Sequence, residues 1–286
     1  MRGLVLGLAW LGGALASGAG LLAIYALVTW GRLPSPSSLP AAGDPGPTAF
    51  MRQDRCTAHQ RSWRDLDDID PRLVCTVVWS EDWQLFYHDG IDRQALSAVV
   101  DRAWHHHQVA FGGSTIPMQL ARNLWLTRDR TPSRKVAEIV LARRLYDAVA
   151  KRRELELYLN AAEWAPCVYG VEAAAQHYFG HGAGAVDLAE ATYLATVLPR
   201  PSRPPGHSRA DRTRFVRHQQ TLLRRVSRSR LMTRGEFLAG QRAILDGWAD
   251  GWNGHAPAAR GPGWAGWLEA RCGTIPFARD AGLADP

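Results

Sequence analysis

From Gly3 to Gly31 the chain carries no ionisable side chain other than Tyr25. A bilayer core about 30 Å thick needs roughly 20 apolar helical residues, and this run exceeds that length. A signal-peptide core holds only about 7–15 apolar residues. The triplet Ala14-Leu15-Ala16 offers a cleavage site, yet the apolar run continues past it to Trp30. An uncleaved, single-pass anchor over 3–31 is the expectation. The flanking charges orient it weakly, because Arg2 lies on one side and Arg32 on the other.

Behind the anchor, residues 32–62 read as a linker. Pro34, Pro36, Pro40, Pro45 and Pro47 stand among Ser, Gly and Ala. A body over 63–245 and a Gly-, Pro- and Trp-rich extension over 246–286 complete the division. Apolar residues at 46% and charged residues at 21% are ordinary for a folded domain. The net charge of +7 points to an anionic partner: nucleic acid, an acidic lipid surface or a phosphate-bearing substrate. No nucleic-acid-binding motif is present, and the anchor argues against that partner. Cys56, Cys75, Cys167 and Cys272 show no CxxC pairing, so no zinc site is read from them. A Cys56–Cys75 bridge and four buried thiols both stay open. Adjacent histidines at His105, His106 and His107 point different ways on a helix, and no metal site is read there either.

Helix signals dominate the body. Asp70-Pro71 starts an apolar run that ends at Ser80-Glu81-Asp82. Further helical stretches run from Pro132 to Lys151, from Arg153 to Asn160, beyond Gly170, and from Asp187 to Leu198, where Pro199 stops the last. Period-2 alternation is almost absent, so the fold class is mainly α.

Four stretches carry the chemistry. The first delivers Glu81 and Asp82 to an aromatic turn ending in His88, Asp89 and Gly90. Glu81 against an apolar wall would have its pKa raised toward that of a useful base. The second, Gly112 to Leu124, sets two glycines and the capping residues Ser114 and Thr115 before a helix. That helix presents Gln119, Arg122 and Asn123 on one face at i, i+3 and i+4. In the third, Arg130, Arg134 and Glu138 recur every four residues and share a face once helical, with Lys135 beside them. Surface ion pairing is the bland reading, and a pyrophosphate site beside a carboxylate the sharper one. The fourth combines Tyr158-Leu159-Asn160 with Glu172, a residue balanced between a salt bridge and support of a site.

Taken together, these stretches resemble the glycosyltransferase family 51 domain of peptidoglycan transglycosylases. The motif Glu-Asp-x-x-Phe-x-x-His-x-Gly matches at Glu81, Asp82, His88 and Gly90, and Gly-Gly-Ser-Thr-Ile-x-x-Gln matches from Gly112 to Gln119. Arg-Lys-x-x-Glu matches Arg134, Lys135 and Glu138, and Tyr-Leu-Asn matches Tyr158 to Asn160. The resemblance implies a lysozyme-like head and a small jaw, short here, near 92–111. It implies Glu81 as the base toward an acceptor GlcNAc 4-hydroxyl and loss of undecaprenyl pyrophosphate from MurNAc with inversion. Glu81 and Glu138 would carry the chemistry. Arg122, Arg130, Arg134 and Lys135 would meet the departing charge, while Ser114, Thr115, Gln119 and Asn123 position oxygens. Asp82, His88, Gly90, Asn160 and Glu172 would support the site. Glu138 would orient the basic groups or hold a divalent cation, Mg or Mn, as an open alternative. The implied partners are lipid II, the growing glycan strand, membrane lipids and cell-wall or division proteins. The implied location is the outer side of the cytoplasmic (inner) membrane.

The sequence also departs from that pattern. Leu85 stands for Phe, Met118 for a Gln, Arg122 for a Lys, and Trp164-Ala165-Pro166-Cys167 for a Phe-Gly-Asp-Gly type loop. These departures motivate a non-catalytic lipid II binder as one rival. The shared use of a glutamate in a helical cleft makes a lysozyme-like hydrolase the other.

Overall fold

The computed structural model describes residues 31–106, 113–203, 208–227 and 233–250. The anchor over 3–30 and the extension beyond 250 lie outside the described residues. Among those described, no helix is long and apolar enough to cross a membrane.

The architecture is mainly helical, as the patterning requires. A short helix α1 (Ala49–Gln53) leads to α2 (Pro71–Glu81) and α3 (Arg93–His106). Then come α4 (Ile116–Trp125), α5 (Pro132–Ala148), α6 (Lys151–Ala161), α7 (Val171–Phe179), α8 (Leu188–Val197), α9 (Arg209–Ser227) and α10 (Arg234–Asp250). One small sheet has the order β1-β3-β2. Its strand β1 (Gln60–Arg61) runs parallel to β3 (Val168–Tyr169), and β2 (Glu163–Ala165) antiparallel to it.

Helix α2 is the hub. Asp70 caps it by accepting from the Arg72 amide at 2.8 Å, and Pro71 occupies the first turn, where its missing N–H costs nothing. Leu73, Val74, Cys75, Val77 and Val78 are fully buried against α8, itself apolar on nearly every face. A helix buried all round needs no stripe, which is why α8 lacks amphipathic periodicity. Helix α4 is amphipathic by contrast: Ile116, Leu120 and Ala121 face the core and Gln119 and Arg122 face outward. Helices α5 and α6 pack on α4.

Two expectations are corrected here. Residues 36–61, read as part of a linker, pack onto the body: Thr48 and Met51 are buried, and Thr48 caps α1. The prolines that suggested a free linker instead shape an ordered strap. The cysteine pairing also differs, because Cys56 is bridged to Cys167 rather than to Cys75, and Cys75 is itself disulfide-bonded rather than a free thiol. The bridge joins residues 111 positions apart, beyond the reach of local spacing. Helix α3 falls in the stretch expected as the jaw.

Candidate active site

Glu81 ends α2, and its neighbour Asp82 holds that end in place. The Asp82 carboxylate accepts from the Ile116 amide at 2.9 Å, one of the orphan donors of the first turn of α4. It also accepts from Nε2 of His88 at 2.9 Å. The Gly90 amide donates to Nδ1 of His88 at 3.1 Å, so Nδ1 is the acceptor and the proton sits on Nε2. Thr115 caps α4 by accepting from the Met118 amide and donates its hydroxyl to the Gly90 carbonyl at 2.7 Å. Asp82, His88, Gly90 and Thr115 thus form one joint between α2 and α4. Thr115, expected to position substrate oxygens, is 2% exposed and spends its hydroxyl inside this joint. Ser114, the other candidate cap, accepts from Nζ of Lys135 at 2.7 Å.

The joint brings Glu81 to Gln119. The Gln119 amide nitrogen donates to Oε2 of Glu81 at 2.9 Å, and its oxygen accepts from the Tyr158 hydroxyl at 3.1 Å. Burial, followed by the Glu81 charge, pushes the Tyr158 pKa well above normal. Tyr158 therefore stays a donor and fixes which way the Gln119 amide points. Burial likewise raises the Glu81 pKa, opposed by hydrogen bonds from Gln119 and Ser80 and by the Arg122 charge.

Gln119 opens onto a cleft of about 540 Å³. Six arginines line it: Arg122, Arg128, Arg130, Arg134, Arg200 and Arg203. Glu163 is the one carboxylate among the described residues on the lining. Asn123, Phe50 and Tyr158 complete much of the inner surface. Glu81 stands one hydrogen bond behind this lining. Burial lowers the Arg122 pKa, while Glu138, Tyr158 and Glu81 act in the opposite sense, so Arg122 senses the carboxylates on both sides. Its Nε has no hydrogen-bond partner among the described residues, and neither has that of Arg134.

The sequence-predicted residues are thus largely brought together. Arg134 pairs with Glu138 at 2.8 Å and Lys135 pairs with it at 3.0 Å. Arg130 differs from expectation: it precedes the Thr131 cap of α5, so it reaches the cleft from a loop and not along a helix face. Asn160 and Glu172 stand apart from the rest. Asn160 accepts from the Arg64 amide and donates to its carbonyl, and Glu172 pairs with the Arg64 guanidinium. Both clasp the chain entering the body, the structural side of the alternatives open at Glu172.

Sequence reasoning missed Phe50, Arg128, Arg200 and Arg203 on the lining. Arg128 is locked by ion pairs to Asp54 at 2.7 Å and Glu163 at 2.9 Å, and it lies 4.5 Å from the Phe50 ring centre. The departures from family pattern sort by burial. Leu85 and Met118 are fully buried and away from the cleft lining, and Trp164 is core. Cys167 has φ +64°, a value that favours glycine, and its side chain goes to the disulfide. Of the named departures, Arg122 alone faces the cleft.

A divalent cation fits this donor set poorly. Glu138 is one carboxylate already shared by two cations, with Arg122 also near. Asp54, Cys56 and His59 lie close enough to form a cluster, but the Cys56 sulfur is in the disulfide and Asp54 serves Arg128 and Tyr169.

A recessed carboxylate backing onto a cleft of arginines in a helical body places the chain among enzymes with a cationic active-site cleft. The particular family follows from comparison. A family model described as Transglycosylase matches residues 49–227, and the chain belongs to that family. Similar proteins include the biosynthetic peptidoglycan transglycosylase of Alcanivorax borkumensis, 38% identical over 186 residues, which cover 63% of this chain and 76% of that protein. The protein of the same description from Rhizobium etli is 44% identical over 143 residues, 50% of this chain and 61% of that one. That from Nitrosospira multiformis is 36% identical over 166 residues, 55% of this chain and 72% of its own.

Proposed function

We infer that this chain is a peptidoglycan glycosyltransferase that polymerises lipid II into glycan strands. The observation that carries the reading is the Glu81–Gln119–Tyr158 relay set against the arginine cleft. In the proposed reaction, Glu81 takes the proton of the acceptor GlcNAc 4-hydroxyl as that oxygen attacks MurNAc C1. The C1–O bond to the lipid diphosphate breaks with inversion, and its electron pair leaves on the diphosphate. Arg122, Arg130, Arg134 and Lys135 meet that charge, the kind of preorganised electrostatics that accounts for much of enzymatic rate. Glu138 holds Arg134 and Lys135 in position. No step is routed through a metal ion.

Location in the cell envelope fits the family. We further propose that residues 3–31 anchor the chain in the cytoplasmic membrane with the body outside. The Cys56–Cys167 bridge supports an oxidising compartment.

The test incubates the full chain with lipid II and follows polymer length. Growth of glycan strands with release of undecaprenyl pyrophosphate is expected. Soluble fragments from purified sacculi without polymer growth would make the chain a hydrolase. Lipid II binding without either product would make it a non-catalytic binder.

A further inference from the structure

The arginines of the cleft come from two separate stretches of chain. Arg122, Arg128, Arg130 and Arg134 belong to α4, α5 and the loop between them. Arg200 and Arg203 belong to the turn that follows α8. That turn is built, not loose: the Arg200 amide donates to the Val197 carbonyl at 3.0 Å, and the Arg203 amide to the Arg200 carbonyl at 3.0 Å. Pro199 and Pro201 flank Arg200 and restrict the backbone further. Both arginines are exposed, and among the described residues neither has a carboxylate partner.

Most arginines around the body are spoken for. Arg128 has two carboxylates, Arg64 and Arg72 have one each, and Arg153 has Glu156. Two cations without a carboxylate partner thus stand on an ordered turn that lines a cleft holding four more arginines. A bound polyanion would supply the countercharge they lack. We propose that Arg200 and Arg203 form a second anion-holding element, a substrate-positioning pair that grips the diphosphate-bearing substrate together with Arg122 and Arg134 in the same cleft. The proposal rests on the glycosyltransferase reading for its substrate and adds the residues that set affinity for it.

Exposed guanidinium groups act in a high-dielectric setting and hold ground state and transition state alike, so their loss should appear in KM and not in kcat. The experiment compares the full chain with its Arg200→Gln/Arg203→Gln double variant, reading KM and kcat for lipid II and the inhibition constant of inorganic pyrophosphate. KM and the pyrophosphate constant are expected to rise roughly tenfold together with kcat within about twofold, and Arg200→Lys/Arg203→Lys to recover most of the loss. The difference should shrink at high ionic strength, as screening dictates. Calorimetric binding of pyrophosphate to Glu81→Gln chains, with and without the double substitution, gives a readout independent of turnover. Were the parental chain to polymerise nothing, the glycosyltransferase reading would fail while this binding comparison still decided the role of the turn. Parental KM and parental pyrophosphate affinity in the double variant, or a fall in kcat alone, would overturn the proposal.

Discussion

Glu81 is held in a state that costs stability in exchange for basicity. Its pKa is raised by burial, so the folded chain keeps that proton to a higher pH than the unfolded chain does. The associated stabilisation is complete below the ordinary value of 4.5 and is lost as pH rises through the raised value. Near neutral pH the ionised carboxylate therefore weighs against the fold. Glu81→Gln keeps the shape, removes the charge and removes the base. Lipid II turnover should fall by about 10²–10⁴ while the thermal midpoint rises. A variant that polymerises at the parental rate would exclude Glu81 as base. In the parental chain, the acid limb of kcat/KM should lie above the usual glutamate range. A limb at or below pH 4.5 would contradict the burial of this group. Tyr158→Phe is a subtler probe, since it fills the same space but frees the Gln119 oxygen. The amide can then turn its oxygen toward Glu81, and kcat should drop about tenfold, equivalent to about 1.4 kcal/mol. Unchanged kcat would mean that the amide needs no such hold.

The joint between α2 and α4 decides whether those side chains meet at all. Gly90 sits in it with φ +94°, and a Cβ there would lie 2.5 Å from the Ala142 carbonyl oxygen of α5. Gly180 has a similar φ of +77° and nothing within 4 Å. Gly90→Ala should therefore cost about 2–4 kcal/mol in denaturant unfolding, and Gly180→Ala only about 1 kcal/mol. Equal costs would show that backbone conformation and not crowding sets the requirement. Elements of this kind were legible where their signals are local. Asp70-Pro71 marked the start of α2, and the Gln119–Arg122–Asn123 face was readable from helical spacing. Arg130 was misplaced because four-residue spacing ignores the cap at Thr131, which starts α5 after it. The joint itself was not derivable from spacing, since Asp82 reaches Ile116 across 34 residues. Arg200 and Arg203 lay beyond reach for a related reason: arginines in a proline-rich turn look solvated until the fold shows which cavity they line.

At the scale of the whole chain, the strap over 36–61 gains its order from partners far away in sequence. Phe50 stacks on Arg128, Asp54 pairs with Arg128, and Cys56 is bonded to Cys167 at the β2–β3 corner. Proline content alone made this strap look like a tether, because none of those partners is local. The disulfide spans 111 positions, and cross-links across long loops remove the most freedom from the unfolded chain. The same bond secures Cys167 at φ +64°, where an L side chain is otherwise disfavoured. Cys56→Ser, which removes this bridge and leaves the one at Cys75, should lower unfolding stability by about 2–4 kcal/mol. Glu81 and Gln119 depend on the α2–α4 joint and not on the strap, so kcat at low temperature should survive. Phe50 and Glu163 line the cleft, so KM should rise as the strap loosens. Denaturant unfolding and lipid II kinetics of the parental and Cys56→Ser chains separate these effects. Parental stability in Cys56→Ser would mean that packing of Met51 and Phe50 alone holds the strap, and that the bridge is incidental to the fold.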